Sequence, residues 1–332
     1  MALLRAITDK RRLGARRERR RRLKGVAVLP TMLTLANLLL GFAAIYFAMR
    51  AVFAAAAGID PAESWTLRNE QLERVMPSFL AIGAWCIAFG MICDGLDGRI
   101  ARVSGRTSRF GSELDSLADV VSFVLAPACL MVALLVVAYG GWYATPLSDD
   151  TFGRGRWMMI GLYVVCGGIR LARFNVESTA EESAHRGFKG LPTPAAAGMV
   201  IAWIALHEHL IYYGTRTASP IATAAADWLV TAAPFITVVL SLLMVSRFDY
   251  THLISVYLRK RRPIGQVVFG FVVLVALVLY TEPVAVAGFA VYVLTGPIRA
   301  VVRLFGVGAG RPTPAPAAEL EGSHSEKERR HA

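Results

Sequence analysis

The chain has 332 residues, 55% of them hydrophobic and only 18% charged, and its mean hydropathy of +0.49 comes from apolar runs long enough to cross a bilayer. This composition excludes a soluble globular domain and predicts a polytopic helical membrane protein. The formal net charge of +12 does not signal a nucleic-acid partner, because the basic residues follow membrane topology instead of gathering on one soluble module.

Residues 1–25 form a basic arm in which Arg16, Arg17, Arg19, Arg20, Arg21, Arg22 and Lys24 directly precede the first apolar run. By the positive-inside rule the arm places the N-terminus in the cytoplasm. Each basic residue near the surface also attracts anionic membrane lipids by about 1 kcal/mol. The arm is not a secretory signal, since the apolar run after it is too long and lacks a small-residue cleavage site. Windows of about 19 residues predict eight spans, near 29–50, 79–100, 117–139, 157–176, 195–213, 227–246, 265–281 and 283–301.

Alternate connections agree with that orientation. The segments 99–115, 170–194 and 247–263 are rich in Arg and Lys, whereas the intervening loops carry Asp60, Glu63, Glu70, Glu73, Asp149 and Asp150. Both termini are therefore expected in the cytoplasm, with the protein in the cell membrane. Cys86, Cys93, Cys129 and Cys166 lie in or at spans without a close pair and read as small apolar residues. His207, Glu208 and His209 do not match a zinc-protease pattern and are expected to be interfacial and solvated. Pro192 and Pro194 in GLPTP break any helix before the fifth span. The tail, 304–332, is rich in Pro, Ala, Gly and charge and is expected to be disordered.

The most informative stretch runs from Asp94 to Asp119, DGLDGRIARVSGRTSRFGSELDSLAD. A bare acid at the centre of a membrane helix costs roughly 2.5 to 3.5 kcal/mol on insertion scales, so four aspartates here imply bound cations or a water-filled cavity. At 3.6 residues per turn Asp94, Asp97, Gly98 and Ala101 share one helical stripe, and Gly111, Asp115 and Asp119 share another. The short connection predicts that the second and third spans are antiparallel neighbours, with the two stripes facing each other. Carboxylates without His or thiolate suit Mg²⁺ or Mn²⁺. Two such ions about 3.5 to 4 Å apart would clamp a phosphoryl centre. Gly98 and Gly111 clear space for a bulky ligand, Ala101 keeps the stripe shallow, and Arg102, with Arg109, can pair with phosphate oxygens. The competing reading is a set of solvated helix-end charges balanced by Arg99, Arg102, Arg106 and Arg109.

The whole spacing, D-x2-D-G-x2-A-R-x8-G-x3-D-x3-D, resembles the signature of the CDP-alcohol phosphotransferases, with no position missing. The resemblance implies a six-helix catalytic core over 26–250 and a homodimer; the two additional spans over 251–303 carry almost no intramembrane charge and read as additions to that core. It also implies transfer of a phosphatidyl group from CDP-diacylglycerol or a related CDP-alcohol to an acceptor hydroxyl. Carried over by position, Asp94, Asp97, Asp115 and Asp119 are the metal-binding acids, Asp119 is also the base, and Gly98, Ala101 and Gly111 contact the nucleotide.

LPTMLTLANLLLGF at 29–42, FGSELDSLADVVSFVLAPA at 110–128, RLARFNV at 170–176 and FKGLPTPAAAG at 188–198 are similar to the phosphatidylserine synthase branch of that family. Thr31 departs from the Asn that often follows the Pro there. Thr34 and Asn37 either contact the nucleotide or pack through polar pairing. L-serine as acceptor calls for a cation at its carboxylate, for which Arg170, Arg173 and Lys189 are the candidates; the alternative for these is snorkelling to lipid phosphate. Asn175 supplies a polar contact or caps the helix. Other acceptors (glycerol 3-phosphate, inositol phosphate, choline) fit the same chemistry, and a cation transporter and a non-catalytic membrane scaffold are the readings from other classes.

Overall fold

A computed structural model describes residues 2–59, 75–104, 109–140, 150–180, 188–250 and 281–305. They form helices α1 (Ala2–Ala56), α2 (Phe79–Ser104) and α3 (Arg109–Asp119), a π-helical turn (Val120–Leu125), and helices α4 (Ala126–Tyr139), α5 (Thr151–Ala180), α6 (Thr193–Thr217), α7 (Pro220–Val245) and α8 (Thr281–Phe305). Strands β1 (Phe188–Lys189) and β2 (Asp249–Tyr250) make one antiparallel pair, with Phe188 opposite Tyr250. The all-α, polytopic membrane bundle read from the sequence is thus the observed architecture.

Among the described residues seven stretches are long and apolar enough to cross a membrane: Leu29–Ala56, Phe79–Ile100, Phe110–Tyr139, Thr151–Val176, Thr193–Thr217, Pro220–Val245 and Thr281–Val302. Each matches a predicted span. The eighth, near 265–281, and nearly all of the tail lie outside the described residues. The helix of the basic arm continues without a break through Pro30 into the first span. Ser78 opens α2 by accepting the Ala81 N–H at 3.1 Å, and Asp150 opens α5 by accepting the N–H groups of Phe152 and Gly153.

Small residues set the packing. Ala44, Ala48, Ala51 and Ala54 are buried along one face of α1, while Leu39, Phe42, Tyr46 and Phe53 are exposed on its other faces, as expected for a helix with lipid on one side and protein on the other. A Cβ on Gly41 would overlap Ser122, and one on Gly90 would come within 2.7 Å of the Asn37 side-chain oxygen. These two positions let α1 approach both α2 and the π turn.

The second and third spans are neighbours, as expected, and their backbones meet at the π turn and α4, while α3 reaches α2 through its side chains. Helix α1 packs on α2, α3, the π turn and α4 together, and α2 meets α4 deeper in the bundle. The two acid-bearing stripes thus share α1 as a common support while their carboxylates meet.

The π turn has a local cause. Pro127 has no N–H to offer the carbonyl of Phe123, four residues back, and the widened turn precedes it, with the Ala126 N–H bonded to the Val121 carbonyl. The stranded Phe123 carbonyl accepts the hydroxyl of the fully buried Tyr163 on α5 at 3.0 Å. Ser122, inside the turn, donates to the Asn37 carbonyl at 2.9 Å. The third span is thereby pinned on both sides just beyond Asp119.

One correction concerns α6. His207 and Glu208 are buried, 6% and 8% exposed, with His207 Nδ1 and Glu208 Oε1 2.9 Å apart. His209 lies 3.7 Å from Glu282 of α8. His207 and Glu208 are thus internal instead of solvated, while His209 stays partly exposed beside α8. All four cysteines are free.

Candidate active site

The carboxylates converge at one end of the bundle. Oxygen atoms of Asp94 and Asp97 on α2 and Asp115 on α3 lie within 4.8 Å of one another. Asp119, one turn past Asp115, lies in the electrostatic field of all three and of the Arg170 guanidinium. The helical periods that place Asp94 with Asp97 and Asp115 with Asp119 are local, and the cleft between α2 and α3 brings the two pairs together.

Asp97 is only 4% exposed, and the Thr34 hydroxyl lies 2.9 Å from its Oδ2 and 3.0 Å from the Pro30 carbonyl. One hydroxyl proton serves both acceptors, so Thr34 orients the carboxylate while staying tied to its own helix. Asp115 Oδ1 and Asp119 Oδ1 are buried with no hydrogen-bond partner among the described residues. Buried carboxylate oxygens without donors call for a cation. The all-oxygen donor set fits a hard divalent ion.

Space for a ligand lies beside the acids. A Cβ on Gly98 would meet no atom within 4 Å, so no packing demands glycine there and the flank of α2 is open. Asn37 sits one turn deeper than Thr34, wholly buried, with both side-chain amide atoms unpartnered and its oxygen against Gly90. It is not bonded to the acids. Gly111 lies in the first turn of α3. The side chains of Ala101, Arg102, Arg109 and Lys189 lie outside the described residues.

Opposite the acids stands Arg170, 7% exposed, whose Nε donates to the Leu191 carbonyl at 2.5 Å. Leu191 is held in turn: its N–H bonds the Leu243 carbonyl at 3.0 Å, and the Gly190 N–H bonds the Phe248 carbonyl at 2.8 Å. Gly190 has φ +84°, and a Cβ there would strike the Met244 carbonyl. It would also come within 3.2 Å of the Arg173 guanidinium. The RLARF and FKGLP stretches, apart in sequence, thus form one device that presents Arg170 and Arg173.

Sequence reasoning missed several supports. Ser116 donates to Asn175 Oδ1 at 3.1 Å, tying α3 to α5, which settles Asn175 as a bridge between helices. On α8, Tyr292 lies in the electrostatic field of Arg170 and Arg299. Neither link has a local sequence signal, because each joins residues far apart in the chain. Elsewhere, an apolar groove between α1, α4 and α5, lined by residues such as Met49, Cys129 and Trp157, carries no charged group and no chemistry.

Residues 27–239 match the family model described as CDP-alcohol phosphatidyltransferase. The chain is 39% identical over 125 residues to a Helicobacter pylori protein named "CDP-diacylglycerol–serine O-phosphatidyltransferase", covering 38% of this chain and 46% of that protein. A Mycobacterium leprae protein of the same name is 35% identical over 193 residues, 57% of this chain and 51% of the relative. One from Saccharomyces cerevisiae is 38% identical over 132 residues, 38% and 42%. The chain spans about half the length of the curated relatives it matches. Since the family match covers more than half of the sequence and takes in all four clustered aspartates, the chain belongs to the CDP-alcohol phosphatidyltransferase family.

Proposed function

We propose that this protein transfers the phosphatidyl group of CDP-diacylglycerol to the hydroxyl of L-serine, forming phosphatidylserine and releasing CMP. The observation that carries the reading is the convergence of four aspartates and one buried arginine, Arg170, on a single cleft. The name shared by relatives from bacteria, yeast and an archaeon supports serine as acceptor.

In this reading Asp94, Asp97, Asp115 and Asp119 would hold divalent metal, two ions of Mg²⁺ or Mn²⁺. When bound, it supplies positive charge to the pyrophosphate oxygens. Thr34 keeps the Asp97 carboxylate turned toward the cleft. The open flank at Gly98, with Ala101, Arg102 and Gly111, admits the cytidine diphosphate group, and Asn37 lines its deep end. Asp119 takes the proton of the serine hydroxyl. The serine oxygen then forms a bond to the phosphorus that carries diacylglycerol, the bond from that phosphorus to the bridging oxygen breaks, and CMP leaves with the electron pair. Arg170, assisted by Arg173 and Lys189, receives the serine carboxylate.

The activity resides in the six-helix core, 26–250, with 251–303 as an addition to it. The cleft faces the cytoplasm of a cell membrane, both termini lie on that side, the protein works as a homodimer, and the basic arm rests on anionic lipid.

The test is CMP release by the purified full-length protein supplied with CDP-diacylglycerol, Mn²⁺ or Mg²⁺ and each acceptor in turn. Serine is expected to support release. Release with glycerol 3-phosphate, inositol phosphate or choline but not with serine overturns the substrate assignment.

A further inference from the structure

The family match ends at residue 239, yet a helix beyond it reaches the site. α8 runs along α6, where the Phe289 ring occupies the space a side chain at Gly198 would need. Farther along, the Tyr250 hydroxyl donates to the Val293 carbonyl at 3.0 Å, and its ring lies where any side chain at position 296 would collide. Tyr292, Gly296 and Arg299 follow i, i+4 and i+7, so they share one stripe of α8. The rings of Tyr250 and Tyr292 are 5.8 Å apart.

Tyr250 belongs to β2, which pairs with β1 immediately before Gly190 and Leu191, the residue whose carbonyl binds Arg170. The stripe on α8 and the guanidinium on α5 therefore converge on the same short segment. The Tyr292 hydroxyl lies in the field of two cations, Arg170 and Arg299. Arg170 acts on Asp119 as well as on Tyr292, so a ligand carboxylate brought to Arg170 also enters the field of Arg299.

We propose that α8 completes the acceptor half of the site as a carboxylate-binding subsite, in which Arg299 is a second cation and Tyr292 positions the Arg170 guanidinium. The proposal rests on the acceptor being anionic, as serine is through its carboxylate. It makes α8 a determinant of specificity added to the family core.

The experiment compares full-length wild type with Arg299→Gln, Tyr292→Phe and a control, Leu294→Ala, whose side chain is 52% exposed. Steady-state CMP release is measured against serine, against ethanolamine, which keeps the hydroxyl and the ammonium but lacks the carboxylate, and against CDP-diacylglycerol. In Arg299→Gln the KM for serine is expected to rise about tenfold or more, as for loss of a charge-assisted contact. The KM for CDP-diacylglycerol stays unchanged, and the preference for serine over ethanolamine shrinks by the same factor. Tyr292→Phe shifts the same ratio by a smaller factor, and Leu294→Ala leaves it alone. An unchanged serine KM in Arg299→Gln, or a parallel rise for serine and CDP-diacylglycerol, overturns the proposal. If wild type uses glycerol 3-phosphate and not serine, the serine assignment falls while a selective rise in the glycerol 3-phosphate KM upholds the subsite. If wild type uses only an acceptor without an anionic group, both fall.

Discussion

The two sides of the cleft are built in opposite ways. The acidic side comes from α2 and α3, neighbours in sequence, whose aspartates recur at three and four residues and so line up on helical stripes before any tertiary contact forms. The basic side comes from α5, the segment around Leu191, and β2, regions joined only by the folded chain. Among the described residues the acidic side has no donor for two buried oxygens, whereas Arg170 on the basic side is bonded to backbone. One side is thus suited to take up cationic charge and the other to present it. The difference teaches that one cleft can take its acidic half from a local motif and its basic half from elements that meet only in the folded chain.

Substitutions on the two sides should therefore separate in their kinetics. The largest effect is expected for Asp119→Asn, where loss of the base lowers turnover by about 10³-fold while the melting temperature stays near that of wild type. Substantial CMP release by this variant would break the assigned roles. Next comes Arg170→Gln, which should raise the KM for serine by about ten- to a hundredfold with little change in the KM for CDP-diacylglycerol. Equal changes in both constants would mean that the two sides do not act separately.

Thr34→Val removes the hydroxyl that orients Asp97. About a tenfold loss of turnover is expected, with the serine KM unaffected, since the defect lies wholly on the acidic side; a selective serine defect would contradict that placement. The smallest kinetic effect is expected for Tyr163→Phe, which leaves the Phe123 carbonyl without its donor beside the missing N–H of Pro127. It should lower stability by about 1 to 3 kcal/mol, read as a reduced melting temperature in detergent, with the ratio of serine to CDP-diacylglycerol KM preserved. A shift in that ratio would give the π turn a direct part in acceptor choice.

Much of the site was legible because its signals are local. Asp94, Asp97, Asp115 and Asp119 announce themselves by spacing and by the energetic penalty of carboxylates in apolar surroundings. Arg170 and Arg173 stand out as paired cations at the end of a span, but nothing nearby in sequence points to Leu191 as what holds Arg170. Thr34 left two readings open, and the 2.9 Å contact with Asp97 shows that it supports a carboxylate. The burial of His207 and Glu208 has no local signal, since it comes from helix packing between segments far apart in the chain.

By itself the sequence determined the apolar spans, their helical character and the two acid-bearing stripes, since each follows from hydrophobicity and helical period within one segment. Only the tertiary structure decided that α1 packs on α2, α3 and the π turn together beneath the acids. It alone wound Val120–Leu125 as a π turn braced by Tyr163, and brought α8 to the basic side. These outcomes depend on close approach at glycines and on hydrogen bonds between distant residues, which no single segment encodes.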